Sequence, residues 1–414
     1  MTLKILWAKS GGFLPLDTGG KIRSYSIASE LARRHETTLF TFYPATIPDP
    51  QESLAEPFIQ VRRMPLQLPE RGSVADMLAY IANAPTVRPY QMRKYCRPRV
   101  GRYLRELLLN GDFDVLLCDF LLTAGVVPWD IRTPTVVFTH NVEQTIWRRH
   151  LEVNHNLLRK LIAWREYRTI GRAERHFTQL ADHVLTVSDE DRKAFLTFLP
   201  GDRVTTVPTG VDLEFFRPRN HGSQEKPAIV FTGSMDWSPN EDAILYFAHE
   251  VFPLIQKRIP EVTLWVVGRK PSRKVIALKQ SQPKIHITGA VDDIRPYVHE
   301  AAAYVVPLRI GGGTRIKIFE AMAMGMPVVS TSIGAEGLPV RDRENILLAD
   351  SAIDFADQTI ALLTRPGLRK RIGHAARALV EHGYGWSRVT DVIEKVLHSV
   401  AGRPPRRSGR LAGI

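Results

Sequence analysis

The chain has 414 residues and a mass of 46.8 kDa, with 44% hydrophobic and 24% charged residues; a lone small binding module and wholesale disorder are both excluded. Lys and Arg outnumber Asp and Glu 56 to 43, which gives a net charge of +13 and favours anionic partners such as nucleotides, nucleic acid or lipid headgroups without choosing among them. Cys96 and Cys118 form neither a disulfide framework nor a zinc pattern, and no stretch approaches the roughly 20 apolar residues that span a bilayer. The opening apolar run is too short for a signal peptide, so a cytoplasmic protein is expected.

In chain order, Lys4 to Ala8 reads as a short strand, Gly11, Gly12, Gly19 and Gly20 break it, and Lys21 to Arg34 carries helical spacing. Ile22, Tyr25, Ile27, Ala28 and Leu31 form the apolar stripe of that helix. Further strands are expected at Thr37 to Phe42, Val115 to Cys118, Thr135 to Phe138 and His183 to Val187, with helical text between them. Strands alternating with helices predict a parallel sheet of βαβ units. The helical text Leu157 to Phe177 mixes Leu157, Leu158, Leu161, Ile162, Trp164 and Ile170 with arginines. It reads either as a packed helix with a solvated basic face or as an interfacial surface for an anionic lipid-linked acceptor.

From Val204 the text turns rich in Pro and Gly and reads as an interdomain linker. A second series follows, with strands at Ala228 to Phe231, Val262 to Val267, Ile285 to Ile287, Ala303 to Val306 and Pro327 to Ser330, and a helix over Glu241 to Ile255. The predicted organisation is α/β: two Rossmann-like, doubly wound parallel-sheet domains facing a cleft. Residues 1–205 form the first, completed by a C-terminal helix at 387–400; residues 206–386 form the second; 401–414 form a basic tail.

The stretch Pro307 to Gly337, PLRIGGGTRIKIFEAMAMGMPVVSTSIGAEG, concentrates the chemistry. Gly311, Gly312 and Gly313 allow backbone amides close to a ligand, and a helix beginning near Thr314 would aim its free N–H groups at an anion. Arg315 and Lys317 in the first turn oppose the helix dipole unless something negative lies nearby. Glu320, one to two turns in, is placed to accept hydrogen bonds from sugar hydroxyls. The alternative is a tight structural connection. Asp112-Phe113-Asp114 is a DxD string, and a metal role for it is taken as a spacing coincidence.

KIFEAMAMGMPVVST followed by EGL resembles the donor-nucleotide motif of the family-4 retaining glycosyltransferases, enzymes of the GT-B fold. Gly19-Gly20 with its helix, FTHNVE around His140, HVLTVS, VPTGVD and FTGSMDW around Gly233 agree in order and spacing, so the resemblance spans about residues 4 to 400. It implies that Glu320 binds the nucleotide ribose and that His140 faces the donor sugar. The first glutamate of the family's E-x7-E pattern is Gly312 here, and the family's Arg and Lys after the first strand of the second domain are replaced within FTGSMDW. Arg315 and Lys317 are therefore expected to neutralise the leaving diphosphate, with Gly20, Arg23 and Gly233 completing the donor site; Arg23 could equally be a solvated helix residue.

The expected activity is metal-independent transfer of a hexosyl group from a nucleoside-diphosphate sugar, with retention, to a carbohydrate or lipid-linked acceptor, in polysaccharide or glycolipid biosynthesis. No cofactor beyond that co-substrate and no nucleic-acid partner is expected, whereas peripheral contact with the inner membrane face is. A nucleotide-sugar epimerase of the same fold is the alternative, though Gly312 removes one of the carboxylates it would need. A non-catalytic binder of anionic polymers ranks third, because the arginines are scattered and the glycine motifs would go unexplained.

Overall fold

The computed structural model describes residues 1–70, 72–153, 156–219, 227–310 and 316–402. Residues 311–315 and the basic tail from 403 onward lie outside the described residues. The chain divides into two compact units, Met1–Pro208 with the segment from Val389 onward, and Thr209–Arg388.

In the first unit the order is β1 (Lys4–Ser10), α1 (Gly19–Ala32), β2 (Glu36–Pro44), β3 (Gln60–Leu66), α2 (Val74–Asn83), α3 (Tyr90–Tyr95) and α4 (Pro98–Asn110). It continues with β4 (Val115–Asp119), α5 (Leu121–Ala124), β5 (Thr135–Phe138), α6 (Glu143–Val153), α7 (Leu157–Leu180), β6 (His183–Thr186), α8 (Asp189–Leu196) and β7 (Val204–Thr206). Seven strands form one sheet in the order β3-β2-β1-β4-β5-β6-β7, every neighbouring pair parallel. Chain order reverses between β1 and β4, so the loops after these strands flank a crevice at their carboxyl ends. Val204–Thr206, expected as linker, is instead the edge strand, because its backbone pairs with β6 in register.

The second unit runs β8 (Ala228–Thr232), α9 (Ser238–Tyr246), α10 (Phe252–Arg258), β9 (Thr263–Val267), α11 (Arg273–Ser281), β10 (Ile285–Gly289), α12 (Arg295–His299) and β11 (Ala303–Val306). Then come α13 (Ile316–Ala323), β12 (Val328–Ser330), β13 (Leu347–Leu348), α14 (Ala352–Thr364), α15 (Pro366–Gly383) and α16 (Trp386–Ala401), whose residues from Val389 belong to the first unit. Six parallel strands lie in the order β10-β9-β8-β11-β12-β13, with the reversal between β8 and β11. Strand side chains alternate between two cores. Ile229, Phe231, Leu264, Val266, Val305 and Val329 pack on one side, and Ala228, Val230, Val267, Tyr304, Val306 and Val328 on the other. A sheet buried on both faces reads as a continuous apolar run, as these strands do.

The helix expected over Glu241 to Ile255 is interrupted by a π turn at Phe247–Val251 before α10. Pro253 lacks the N–H that would continue the α ladder, and the wider turn absorbs the loss. Within the first unit α16 is held by charge: Arg34 Nη1 donates to Asp391 and Glu394, each at 2.7 Å. Asp112 and Asp114 tie down the start of β1, through Lys4 Nζ and the Lys4 N–H respectively, each at 2.8 Å.

Candidate active site

At the chain reversal of the first sheet, two charged residues sit where buried strands end. Lys9 on β1 and Asp119 on β4 are 1% and 0% exposed and lie 3.4 Å apart. Asp119 also accepts the indole N–H of Trp7 at 3.1 Å and the Nε2–H of His140, just past β5, at 2.7 Å. That bond fixes the imidazole tautomer, leaving Nδ1 bare. Arg23 Nη1, from the buried side of α1, approaches Nδ1 at 3.3 Å. Burial pushes His140 down to about 4, with Arg23 and Lys9 adding to the effect against Asp119. The imidazole is therefore neutral at neutral pH. Burial would raise Asp119, yet Lys9 and His140 hold it far below the usual carboxylate range. Burial lowers Arg23 to about 10, so it keeps its charge.

Phe120 follows Asp119 with φ of 69°, in the left-handed region that costs a side-chain-bearing residue energy and is retained mostly at functional sites. Its ring stacks on His140 at 3.9 Å and 10°, and Lys9 Nζ lies 3.9 Å from its centroid. Gly20 explains itself here: a Cβ would lie 2.8 Å from Phe120 Cζ and 3.7 Å from His140 Nδ1. Gly20, Arg23 and His140 thus come together, and Arg23 is buried against the imidazole rather than solvated.

Beside this cluster opens a cavity of about 500 Å³ lined by Lys9, Phe120, Met92, Glu143, Trp147 and His150, among others. One wall is formed by Met92, Leu121 and Ile170, which pack in one apolar cluster with Ala173 behind them. Burial pushes Glu143 up to about 7. The backbone N–H groups of Glu143 and Gln144, at the start of α6, donate to Glu174 of α7 at 2.8 and 3.4 Å. An apolar wall with a few convergent polar groups is the ordinary composition of a small-molecule site.

In the second unit, Gly233 follows β8 and Lys317 lies in the first turn of α13. Lys317 Nζ donates to Asn240 Oδ1 at 2.9 Å and sits 4.3 Å from the Phe231 ring centroid. A Cβ at Gly233 would lie 2.6 Å from Lys317 Nζ and 2.7 Å from Asn240 Nδ2. The neighbouring Gly268 is tighter, since a Cβ there would overlap the Gly233 carbonyl oxygen at 1.8 Å. Glu320, one turn beyond Lys317, is pushed up to about 7 by burial, which Lys317 only partly offsets. Gly233, Lys317 and Glu320 are therefore neighbours, whereas Gly311, Gly312, Gly313, Thr314 and Arg315 lie outside the described residues.

Sequence reading missed Lys9, Asp119, Phe120, Glu143 and Arg269. The signal for Lys9 and Asp119 was a charge at the end of an apolar strand run, where burial is otherwise rare. Arg269, just past β9, donates from Nε to Ser234 Oγ at 2.9 Å. It brings a cation to the loop after β8, where the resemblance expected a basic residue and found none.

The profile described as Glycosyltransferase Family 4 matches residues 18–215, and that of Glycosyl transferases group 1 matches residues 226–365. A phosphatidyl-myo-inositol mannosyltransferase of Mycobacterium leprae is 27% identical, over 93% of this chain and 94% of its own. Among solved structures, sucrose-phosphate synthase of Thermosynechococcus elongatus superposes with a TM-score of 0.68 at 18% identity, covering 95% of this chain and 98% of that one. Anabaena HepE, in complex with UDP and glucose, gives 0.65 at 15% identity, over 96% and 100%. With both units matched in sequence and the two parallel sheets matched in fold, this chain belongs to the group 1, family 4 glycosyltransferases, of GT-B fold.

Proposed function

We propose that the protein moves a hexosyl group from a nucleoside-diphosphate sugar to a hydroxyl of an amphiphilic acceptor, with retention at the anomeric carbon, in glycolipid or polysaccharide synthesis. The observation that carries the reading is the second unit's cluster, where an ammonium beside a glycine backbone and a carboxyl raised by burial are neighbours. Lys317 would neutralise the leaving diphosphate, with Arg315 and the glycines 311–313 before α13 adding charge and amides. Glu320 would accept the ribose hydroxyls, with Thr314 and Gly233 beside it. In the first unit, neutral His140 would face the donor sugar, held in tautomer and orientation by Asp119, Arg23 and Phe120, while Gly20 leaves room for the stacked ring.

The acceptor would occupy the cavity beside Phe120, its apolar part against Met92, Trp147 and Ile170 and its hydroxyl toward Glu143 and Lys9. In the transfer, the acceptor O–H and the anomeric C–O bond to phosphate break, and a new anomeric C–O bond forms on the same face. The proton passes to the departing diphosphate oxygen, whose charge Lys317 and Arg315 would neutralise in the place a metal could otherwise take. The M. leprae relative's name specifies a lipid-linked inositol acceptor and a mannosyl group, which supports an amphiphilic acceptor.

The test is nucleoside diphosphate release from a panel of UDP-, GDP- and ADP-sugars by wild type, Glu320→Ala and Lys317→Ala. Turnover of one donor, lost in both variants, with an α-anomeric product from an α-linked donor, is the expected result. Binding of no donor would overturn the reading.

A further inference from the structure

Helix α2 is inside out. Its polar residues face the protein: Asp76 accepts from Lys94 Nζ at 2.7 Å and from Tyr90 Oη at 2.5 Å, and Asn83 is fully buried. Its apolar residues Val74, Met77, Leu78 and Ile81, spaced i, i+3, i+4, i+7, face outward on one side. The first two turns of α7 repeat the inversion. Glu166 is buried and accepts the Tyr90 N–H at 3.2 Å, while Leu157, Leu158, Leu161 and Trp164 project outward. These eight side chains are between 47% and 83% exposed.

The two helices are joined where both inversions meet. Arg165 of α7 donates to the carbonyls of Asn83 at 2.8 Å and Ala84 at 3.2 Å at the end of α2, and its guanidinium lies 5.6 Å from the Tyr80 ring. The two apolar rows therefore lie on helices joined through Arg165, and together they are far richer in large side chains than the scattered apolar residues of an ordinary exterior. Along α7 the outward row Leu157, Leu161, Trp164 continues as Arg168, Arg172 and Arg175, all exposed. Arg168 lies 5.3 Å from the Trp164 ring and Arg175 4.6 Å from that of Phe198. At about 1.5 Å per residue, apolar tip and arginine column each cover roughly 10 Å of helix. The acidic residues of α7, Glu166 and Glu174, are both buried, so its outer face carries positive charge alone.

We propose that this face, built from α2 and the outward row of α7 from Leu157 to Arg175, docks on an anionic lipid bilayer. Leucines and Trp164 would enter the acyl boundary, and the arginine column would meet the headgroups. No helix among the described residues is long and apolar enough to cross a membrane, so the contact is a lateral one. The apolar depth supplies the anchoring and the arginines the preference for negative lipid, about fivefold in partitioning for each. The same helix walls the cavity beside Phe120 through Ile170 on its opposite side, so docking brings the cavity to the source of an amphiphilic acceptor. Binding itself does not depend on the proposed transfer and is read without turnover.

The experiment is flotation of the full chain with phosphatidylcholine vesicles, with and without phosphatidylglycerol, at low and high salt. Wild type is expected to float with the anionic vesicles only, and less at high salt. Leu157→Ser/Leu161→Ser/Trp164→Ser and Met77→Ser/Leu78→Ser/Ile81→Ser should each lose binding at least tenfold. Their circular dichroism and their hydrolysis of donor in solution should be unchanged, because the replaced side chains are exposed. Arg168→Glu/Arg172→Glu/Arg175→Glu should lose the preference for anionic lipid. Failure of wild type to float at low salt would overturn the proposal, as would equal flotation of the serine variants. So would a wild-type dimer that the serine variants convert to monomer without any vesicle binding, which would assign the face to a second copy of the chain.

Discussion

The two candidate clusters solve opposite electrostatic problems. In the first unit, Lys9, Asp119, Arg23 and His140 are buried together and answer one another, so Asp119 is held ionised and His140 neutral without any ligand. In the second, Glu320 is driven up to about 7 and Lys317 only partly offsets the burial. A cluster closed on itself is preorganised, with its orientation settled before substrate arrives. One that holds its carboxyl near neutrality awaits groups from outside. The first should therefore break when an internal member is removed, and the second should respond to ligand and pH.

The largest effect expected is at Asp119. Asp119→Asn removes the charge that answers Lys9 and turns part of the acceptor edge facing His140 into a donor. Leaving a buried cation uncompensated costs about 3–5 kcal/mol. Calorimetry should show the first unit's transition lowered by roughly 10 °C, with the second unit's transition unmoved. Because Asp119 is depressed, its contribution is complete well above the ordinary carboxylate value of 3.8 and is lost progressively as pH falls from there toward the folded value. A stability loss in Asp119→Asn that disappears at pH 5 would contradict the closed-cluster reading.

Glu320→Ala comes next, at about 100-fold in nucleotide affinity, the range for hydrogen bonds to a charged acceptor. The pH dependence sharpens the contrast. Glu320 ionises near 7 folded and near 4.5 otherwise, so between those values the folded chain holds a proton that the unfolded chain has lost. Its contribution to stability therefore falls as pH rises across that window. Nucleotide binding that uses the carboxylate should run the other way, tightening up to about tenfold per pH unit below 7 and levelling above. Calorimetric titration of Glu320→Gln beside wild type isolates this term from the phosphate's own titration. A wild-type slope retained in Glu320→Gln would remove Glu320 from the ligand.

A smaller effect is expected at Gly20, which contributes only space. Gly20→Ala forces Phe120 or α1 to move, at about 1–3 kcal/mol of stability for overpacking. Since Phe120 stacks flat on His140, turnover should drop roughly tenfold with the donor KM little changed. A raised KM with turnover intact would show that Gly20 touches the donor rather than the stack.

How far the sequence carried is visible in the same residues. Parallel strands were legible because both faces of each are buried, leaving apolar runs such as VLLC and AIVF that need no partner to recognise. The helix stripe was legible only in part: Ile27, Ala28 and Leu31 are buried, but so is Arg23, one turn before Ile27 on the same face, which an apolar count passes over because it is charged. Strand β3 was missed because Gln60–Leu66 carries two arginines and a proline at the sheet's edge, where one flank has no neighbour to demand apolar residues. At the site, His140 and Glu320 were found through motifs. Lys9 and Asp119 were not, although the expected strands stopped one residue short of each: reading apolar runs ends an element where charge begins, and here the buried charge is still part of the strand, the last residue of β4 and the last but one of β1. The inversion of α2 was equally hidden, because a helical pattern shows which residues share a face but not which face the protein takes.

The smallest effect belongs to Asp112 of the Asp112-Phe113-Asp114 string, which spacing alone would offer as a metal site. Asp112 bonds Lys4 at the start of β1, and both groups are open to solvent. Asp119 and His140 sit at the opposite, carboxyl ends of β4 and β5, and Lys9 lies five residues along β1, or roughly 17 Å of extended chain. An exposed pair at that distance contributes little to stability and nothing to the electrostatics of the imidazole. Asp112→Asn should therefore leave thermal stability, donor affinity and turnover at wild-type values across a Mg²⁺ or Mn²⁺ titration. If turnover fell in Asp112→Asn and returned with added Mn²⁺, the DxD string would be a metal site, and the first unit would carry chemistry at both ends of its sheet. An unchanged profile confines it to the carboxyl ends, where Lys9 and Asp119 are the charges that the strands bury.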